Sequence, residues 1–155
     1  MVDMDINGAY YLRGAEKNDI ELFFRWVNDD AVRRNAFENH VISKEEHEKW
    51  FEKVMDDPDV LIYILMLNEK PIGQCRLTVN DGVADIDYSV DSTMRGKGIG
   101  KILIDLVERE VRENHAEIVK LIGRVKLRNT ASAKCFEDNG FNESYIVFEK
   151  EMNVE

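Results

Sequence analysis

The chain has 155 residues, of which 44% are apolar, and a formal net charge of −10. That length and apolar fraction exclude a disordered chain and support one domain spanning 1–155 with its own core. The acidic balance speaks against general nucleic-acid binding, which needs a basic surface, but not against a small anion held by a local field.

Tyr10 to Arg13 reads as a short strand. Asn18 or Asp19 is placed to cap a helix whose buried face carries Ile20, Phe23, Phe24 and Val27. A second helix starts at the capping box of Ser43 and Glu46, buries Trp50, Phe51, Val54 and Met55, and stops at Asp57 and Pro58. The period then changes. Val60–Leu67, Ile72–Val79 and Val83–Val90 read as three strands of an antiparallel meander, the last two joined by the turn Asn80-Asp81-Gly82. A glycine-dense turn follows, then a helix with Ile99, Ile102, Leu103, Leu106, Val107 and Val111 on one face. Ile118–Leu127 is a further strand. A short helix carries Ser132, Cys135 and Phe136 on one face and stops at Gly140, and YIVFEKEM (Tyr145–Met152) is a last strand. The expected architecture is a mixed α/β sheet with helices on both sides.

No apolar run approaches the ~20 residues of a membrane span, and MVDMDINGAYY carries no secretory signal pattern. Cys75 and Cys135 lack metal or redox spacing. They read as buried free thiols of a cytoplasmic protein, with no membrane partner and no metal site.

The turn after Val90, STMRGKGIGK, places glycine between a strand and a helix, a recurrent arrangement for phosphate. Glycine lets the backbone approach the anion, and the free N–H groups of the first helical turn point at it. The Walker A pattern fails, because Arg95 stands where glycine belongs and Ile102 where Ser or Thr belongs. The dinucleotide pattern fails at Lys101.

Arg95-Gly96-Lys97-Gly98-Ile99-Gly100 does match Arg/Gln-x-x-Gly-x-Gly/Ala, the pyrophosphate loop of the GNAT superfamily of N-acetyltransferases. Downstream, NTASAKCFEDNGF resembles that superfamily's Asn-x-x-Ala/Ser-x-x-x-Tyr/Phe-x-x-x-Gly-Phe, with Asn129, Ser132, Phe136, Gly140 and Phe141 in register. The order of elements agrees from about Tyr10 to Met152. The resemblance implies a GNAT (acyl-CoA N-acyltransferase) fold with a mostly antiparallel sheet, and acetyl-CoA as co-substrate. Its pyrophosphate would lie on Arg95, Gly96, Lys97, Gly98, Ile99, Gly100 and Lys101, with Asn129, Ser132 and Phe136 along its arm. A bulge near Val90 would free a backbone N–H for the thioester carbonyl.

A base must deprotonate the acceptor ammonium. Asp85 and Asp87 share one face of their strand and are candidates, as is His47. Each also has a plain reading: solvent-facing aspartates, and a packing histidine. Many relatives place an acidic Tyr where this chain has Phe136. Phenylalanine cannot donate a proton, so packing is its reading, and Tyr88, Tyr145, water or the amine would supply the thiolate's proton.

For the acceptor, W-x-N-D, V-R and I-S-x-E-E-H-x-x-W-F in the first two helices resemble a GNAT branch that acetylates nucleotide-linked amino sugars, and partly the ribosomal-protein N-terminal branch. That implies Asn28, Arg33, His47, Trp50 and Tyr88 as substrate-binding residues, with Arg33 and Arg34 meeting phosphate. The expected partner is a small-molecule amine, and the expected state a monomer or homodimer. Peptide N-terminal acetylation and a non-catalytic acetyl-CoA-binding module are the alternatives.

Overall fold

A computed structural model of the chain describes residues 9–37 and 40–152. Strand β1 (Tyr10–Gly14) is followed by α1 (Ile20–Val27), a short α2 (Asp30–Asn35) and α3 (Lys44–Met55). Then come β2 (Val60–Leu67), β3 (Lys70–Asn80), β4 (Val83–Val90), α4 (Ile99–Asn114), β5 (Lys120–Gly123) and α5 (Thr130–Asp138). The sheet runs β1-β2-β3-β4-β5. Its first four strands pair antiparallel and β5 joins β4 in parallel.

Side-chain alternation divides the sheet into two unlike faces. One face sends Leu12, Tyr63, Leu65, Cys75, Leu77, Ala84 and Ile86 against Ile99, Leu103, Ile104, Leu106 and Val107 of α4 and Phe136 of α5. The other sends Ile62, Ile64 and Met66 against Phe23 and Trp26 of α1 and Phe51 of α3. Only β1 and β2 supply this second core. Over β3 and β4 the same face is polar, with Gln74 bonded to Ser89 at 3.1 Å and Arg76 to Asp87 at 3.2 Å.

Local chemistry explains the joints. Asp81 (φ 50) and Gly82 (φ 79) form the two-residue turn between β3 and β4, both central residues at positive φ as a type I′ hairpin requires. In the β2–β3 pair, Leu65 faces Gly73 while Met66 faces Pro71, so Ile72 is an extra residue and β3 bulges there. Asn129 caps α5 by accepting from the Ser132 N–H, and Gly140 follows α5 at φ 86.

Several expectations change. The α1 core face is Phe23 and Trp26, with Ile20, Phe24 and Val27 only half-buried. Asp19 precedes α1 without capping it, because Arg13 at 2.8 Å and the Glu16 N–H occupy its carboxylate. Ser43 does cap α3, but Glu46 turns away to His40, 2.9 Å distant, so the box is half made. The strand expected over Ile118–Leu127 shortens to β5. Cys135 is half-buried, unlike Cys75. Tyr145–Met152 forms no strand: it is exposed along its length and pairs with no strand among the described residues.

One buried carboxylate joins α1 to the turn after β4. Asp91, 6% exposed, accepts from the Trp26 indole N–H at 2.9 Å, Arg25 at 3.1 Å, the Thr93 N–H at 3.0 Å and the Thr93 hydroxyl at 2.7 Å. Burial alone would raise its pKa, but the hydrogen bonds from Trp26 and Thr93 and the nearby Arg25 hold it down at about 2. A depressed carboxyl stabilises the fold above its unfolded pKa near 3.8, and that contribution disappears as pH falls toward 2. Asp91→Asn is therefore expected to lower the unfolding free energy by about 2 kcal/mol at neutral pH. Denaturant titrations should show the gap from wild type closing between pH 4 and 2, and a gap independent of pH would refute this account.

Candidate active site

Strand β4 outruns its parallel partner. Pairing with β5 covers Val83–Ile86, so the outer edge of Asp87–Val90 is open. The Asp91 N–H donates to the Ile72 carbonyl at 2.8 Å. Alternation then turns the N–H groups of Ser89 and Asp87 toward β3, and those of Val90 and Tyr88 into the gap. A bulge in β4 is thus not needed to free the Val90 N–H. The irregularity lies on the neighbouring strand, at Ile72.

The glycine turn stands at the mouth of this gap. Gly96 and Gly98 both have φ 76, and a Cβ at either would meet no protein atom within 4 Å. The chain thus needs glycine there for backbone conformation, while the space above is open. Gly98 precedes α4 with no side-chain cap on the helix, so its first N–H groups are free to meet an anion. Gly100 differs. A Cβ there would come within 2.9 Å of the Cys135 sulfur and 3.4 Å of the Tyr88 ring, so this glycine sets the spacing of α4 from α5.

Around the gap, the Tyr88 hydroxyl donates to the Ser132 hydroxyl at 2.9 Å, joining β4 to α5. Burial raises the Tyr88 pKa, which keeps the phenol protonated. Phe136 is buried, packs edge-on against Tyr88 and Phe141, and fills the place a side chain at Gly123 would take. Lys97 and Lys101 are exposed at the turn, whereas Arg95 is held by Asp29 at 2.7 Å. Asp29 also caps α2, and the ammonium of Lys126, beyond β5, donates to the Arg34 carbonyl at 3.2 Å. The α2 segment therefore spans from the glycine turn to the β5 side of the gap.

The remaining candidates scatter. Asp85 pairs with Arg124 at 2.8 Å, across the foot of the gap. Burial raises its pKa, Arg124 opposing. Asp87 is exposed beside Arg76, whose guanidinium lies 5.1 Å from the Trp50 ring centre. Both aspartates and Trp50 belong to the polar side of the sheet. His47 does not line a cleft: it is 1% exposed among Phe24, Trp50 and Phe51, and its Nε2 lies 2.9 Å from the Ile20 carbonyl. Asn28 is engaged at both ends of its amide by the backbone of Ile42, at 2.8 Å each, and Arg33 donates to the His40 carbonyl at 3.3 Å. Sequence reasoning missed Asp29 and Asp91. Asp29 ends the W-x-N-D pattern but was given no role there, Asp91 belongs to no motif, and each gains its role through a residue more than sixty positions away.

The model of the acetyltransferase (GNAT) domain family matches residues 10–142. The chain belongs to that family, and is an N-acetyltransferase by membership. It is 24% identical over 151 residues to the aminoglycoside N(6')-acetyltransferase type 1 of Klebsiella pneumoniae, a match covering 87% of this chain and 75% of that protein. Among solved structures it resembles aminoglycoside acetyltransferase AAC(6')-Ib in complex with coenzyme A, with a TM-score of 0.77, 21% identity and coverage of 88% and 86%. It also resembles the Vibrio cholerae spermidine N-acetyltransferase in complex with CoA and spermine, with a TM-score of 0.81, 21% identity and coverage of 94% and 88%. At these identities the solved structures speak to the fold. No helix among the described residues is long and apolar enough to cross a membrane.

Phe136→Tyr tests the packing reading. The added hydroxyl would project from a ring already filling the space over Gly123, and overpacking of this kind costs ~1–3 kcal/mol. Calorimetry should show a lowered melting temperature; an unchanged one would mean the ring has room to spare.

Proposed function

We propose that this chain transfers the acetyl group of acetyl-CoA directly to the primary amine of a small cationic acceptor, an amino sugar or polyamine. The observation that carries the reading is the parting of β4 from β5 beside a helix start that is uncapped and opened by two glycines. An elongated thioester fits such a gap, with its pyrophosphate on the N–H groups of 96–101, and Lys97 and Lys101 adding positive charge. Asn129 and Ser132 would border its arm, although the Asn129 side-chain oxygen Oδ1 already serves as the α5 cap.

Acetyl-CoA supplies the thioester, and the chain's residues supply the rest. The Val90 N–H donates to the carbonyl oxygen as negative charge develops there. Strand geometry selects between the two aspartates. At ~3.3 Å per residue, Asp87 lies about 10 Å along β4 from Val90 and Asp85 about 17 Å. An amine poised at the carbonyl carbon is within one or two waters of Asp87, while Asp85 is too distant for that role. We therefore assign Asp87 to receive the ammonium proton, and Asp85 with Arg124 to hold the foot of the gap closed. The proton that nitrogen sheds as the amide forms balances the departing thiolate, and Tyr88, whose hydroxyl donates to Ser132, borders the path by which it is passed on.

A cationic acceptor suits Asp85 and Asp87, the net charge of −10, and the aminoglycoside and spermidine enzymes among the relatives. A nucleotide-linked acceptor would draw on Arg33 and Arg34, but Arg33 is engaged by the His40 carbonyl. Release of free CoA thiol decides the matter, measured with aminoglycosides, spermidine, nucleotide-linked amino sugars and peptides. Turnover with the first two supports this reading. Preference for a nucleotide-linked sugar or a peptide replaces the acceptor, and binding without turnover on any acceptor overturns the enzyme.

Two variants test the machinery. Asparagine tolerates the left-handed conformation, so Gly98→Asn should remain folded yet weaken acetyl-CoA binding at least tenfold, ~1.4 kcal/mol by calorimetry. Unchanged affinity would remove the turn from the site. Asp87→Asn should lower kcat by ~100-fold or more, and Asp85→Asn by less than about tenfold. The reverse order would move the base to Asp85.

A further inference from the structure

The polar side of β3 and β4 carries a charge pair too exposed to contribute much to folding. Arg76 and Asp87 stand directly opposite each other on the two strands, and the guanidinium donates to Asp87 Oδ2 at 3.2 Å. The same guanidinium lies 5.1 Å from the centre of the Trp50 ring. Trp50 is braced within α3, its ring centre 5.8 Å from that of His47 and 6.3 Å from that of Phe51. A fixed aromatic face and a carboxylate within reach of one point are the two features by which proteins hold a cation. Here the cation at that point belongs to the chain itself.

The exposures show which group an incoming molecule meets. The Asp87 side chain is 60% exposed and that of Arg76 27%, so a molecule arriving from solvent meets the carboxylate first. An anion is turned away there, and the charge of Arg76 is already met. A cation can change places with Arg76. It takes Asp87 Oδ2 and the Trp50 face, while the guanidinium moves on its flexible stem into water. Position then decides what kind of cation fits. The reacting amine has to stand at the thioester carbonyl beside Val90, and Asp87 is about 10 Å from Val90 along β4. A cation between Asp87 and Trp50 is therefore a second charge of the acceptor, on the order of 10 Å from the nitrogen that reacts. Arg76 bonds Oδ2, and the other oxygen of the carboxylate is left for the water that carries the reacting amine's proton.

We propose that Trp50 and Asp87 form a subsite for the second ammonium of a polycationic acceptor, and that Arg76 fills this subsite until the acceptor displaces it. The proposal rests on the reading of the chain as an acetyltransferase of cationic amines and extends it, because the acceptor now carries two charges spaced to reach from Val90 to Trp50. Arg76 thereby acts as a filter. A monoamine reaches the thioester and gains nothing at Trp50, whereas a diamine of matching length exchanges with Arg76 and is held.

Kinetics of thiol release and calorimetry on the CoA-loaded enzyme test it together. Diaminooctane serves as the long dication, diaminopropane as the short one and aminooctanol as a monocation of the longer length. In Arg76→Ala the KM and Kd of diaminooctane are expected to fall about fivefold, the scale of one cation–aromatic contact freed of its competitor. Those of diaminopropane and aminooctanol, and the KM of acetyl-CoA, should stay within about twofold. Arg76→Lys restores a competing cation and should return toward wild type, and Trp50→Leu added to Arg76→Ala should abolish the gain. Thermal melts check that each variant is folded, with Arg76→Gln in reserve should Arg76→Ala not be. An equal gain for aminooctanol means that Arg76 repels every cation alike. Unchanged, weakened or undetectable binding of diaminooctane means that Arg76 is a bystander or holds an anionic acceptor. Each of these overturns the subsite and leaves acetyl transfer to be judged on turnover. If diaminooctane binds more tightly to Arg76→Ala while no amine releases thiol, the subsite stands and the enzymatic reading falls.

Discussion

The Asp91 carboxylate is the interaction on which the arrangement of the site depends. It is buried and ionised, and its cost is met by donors from α1 and from the turn that follows β4. Without it, the first helix and the turn after β4 would lose the directional bonds of Arg25, Trp26 and Thr93 that fix their relative orientation. With it, the end of β4 is held against Trp26, and the open edge of β4 is kept in line with the start of α4. The Asp29–Arg95 pair adds a second tie between the same two regions, this time through α2. The two ties sit on either side of Ser92–Met94, so the turn is clamped at both ends while Gly96 and Gly98 supply its shape.

Much of this was legible in the sequence, and the reason is periodicity. The three meander strands, the long α4 and the cap of α5 each announce themselves through a local pattern whose physics is complete within ten or fifteen residues. So does the glycine turn, because positive φ leaves few alternatives to glycine. Illegible features depend on pairs distant in the chain. Whether Glu46 caps α3 or reaches His40 is a competition between two partners at nearly equal range. Whether His47 faces a cleft or a core depends on where α1 lands, and α1 turned so that Trp26 rather than Ile20 faces inward. The bulge at Ile72 has the same character. An extra residue in β3 frees nothing by itself, and its position opposite the end of β4 emerges only from the register.

YIVFEKEM is the instructive failure. Its composition satisfies every local rule for a strand, yet a strand is a relation between two chains of atoms rather than a property of one. A sequence reading assigns the conformation without asking who the neighbour is. Here the segment pairs with no strand among the described residues, and nothing in its own eight residues specifies a neighbour.

The two unlike faces of the sheet have a consequence for how such a chain changes over generations. The side toward α4 holds the larger core, and its residues are locked together by close packing, as the 2.9 Å approach that a Cβ at Gly100 would make to Cys135 illustrates. The opposite side of β3 and β4 holds Gln74, Arg76, Asp85, Asp87 and Ser89, half-buried or exposed and joined by pairs that contribute little to folding. Substitutions there leave the core intact, so, Asp87 apart, natural selection can rewrite that surface one residue at a time without first acquiring compensating mutations for stability. Thermodynamic robustness and evolutionary plasticity thus reside on opposite sides of a single layer of strands.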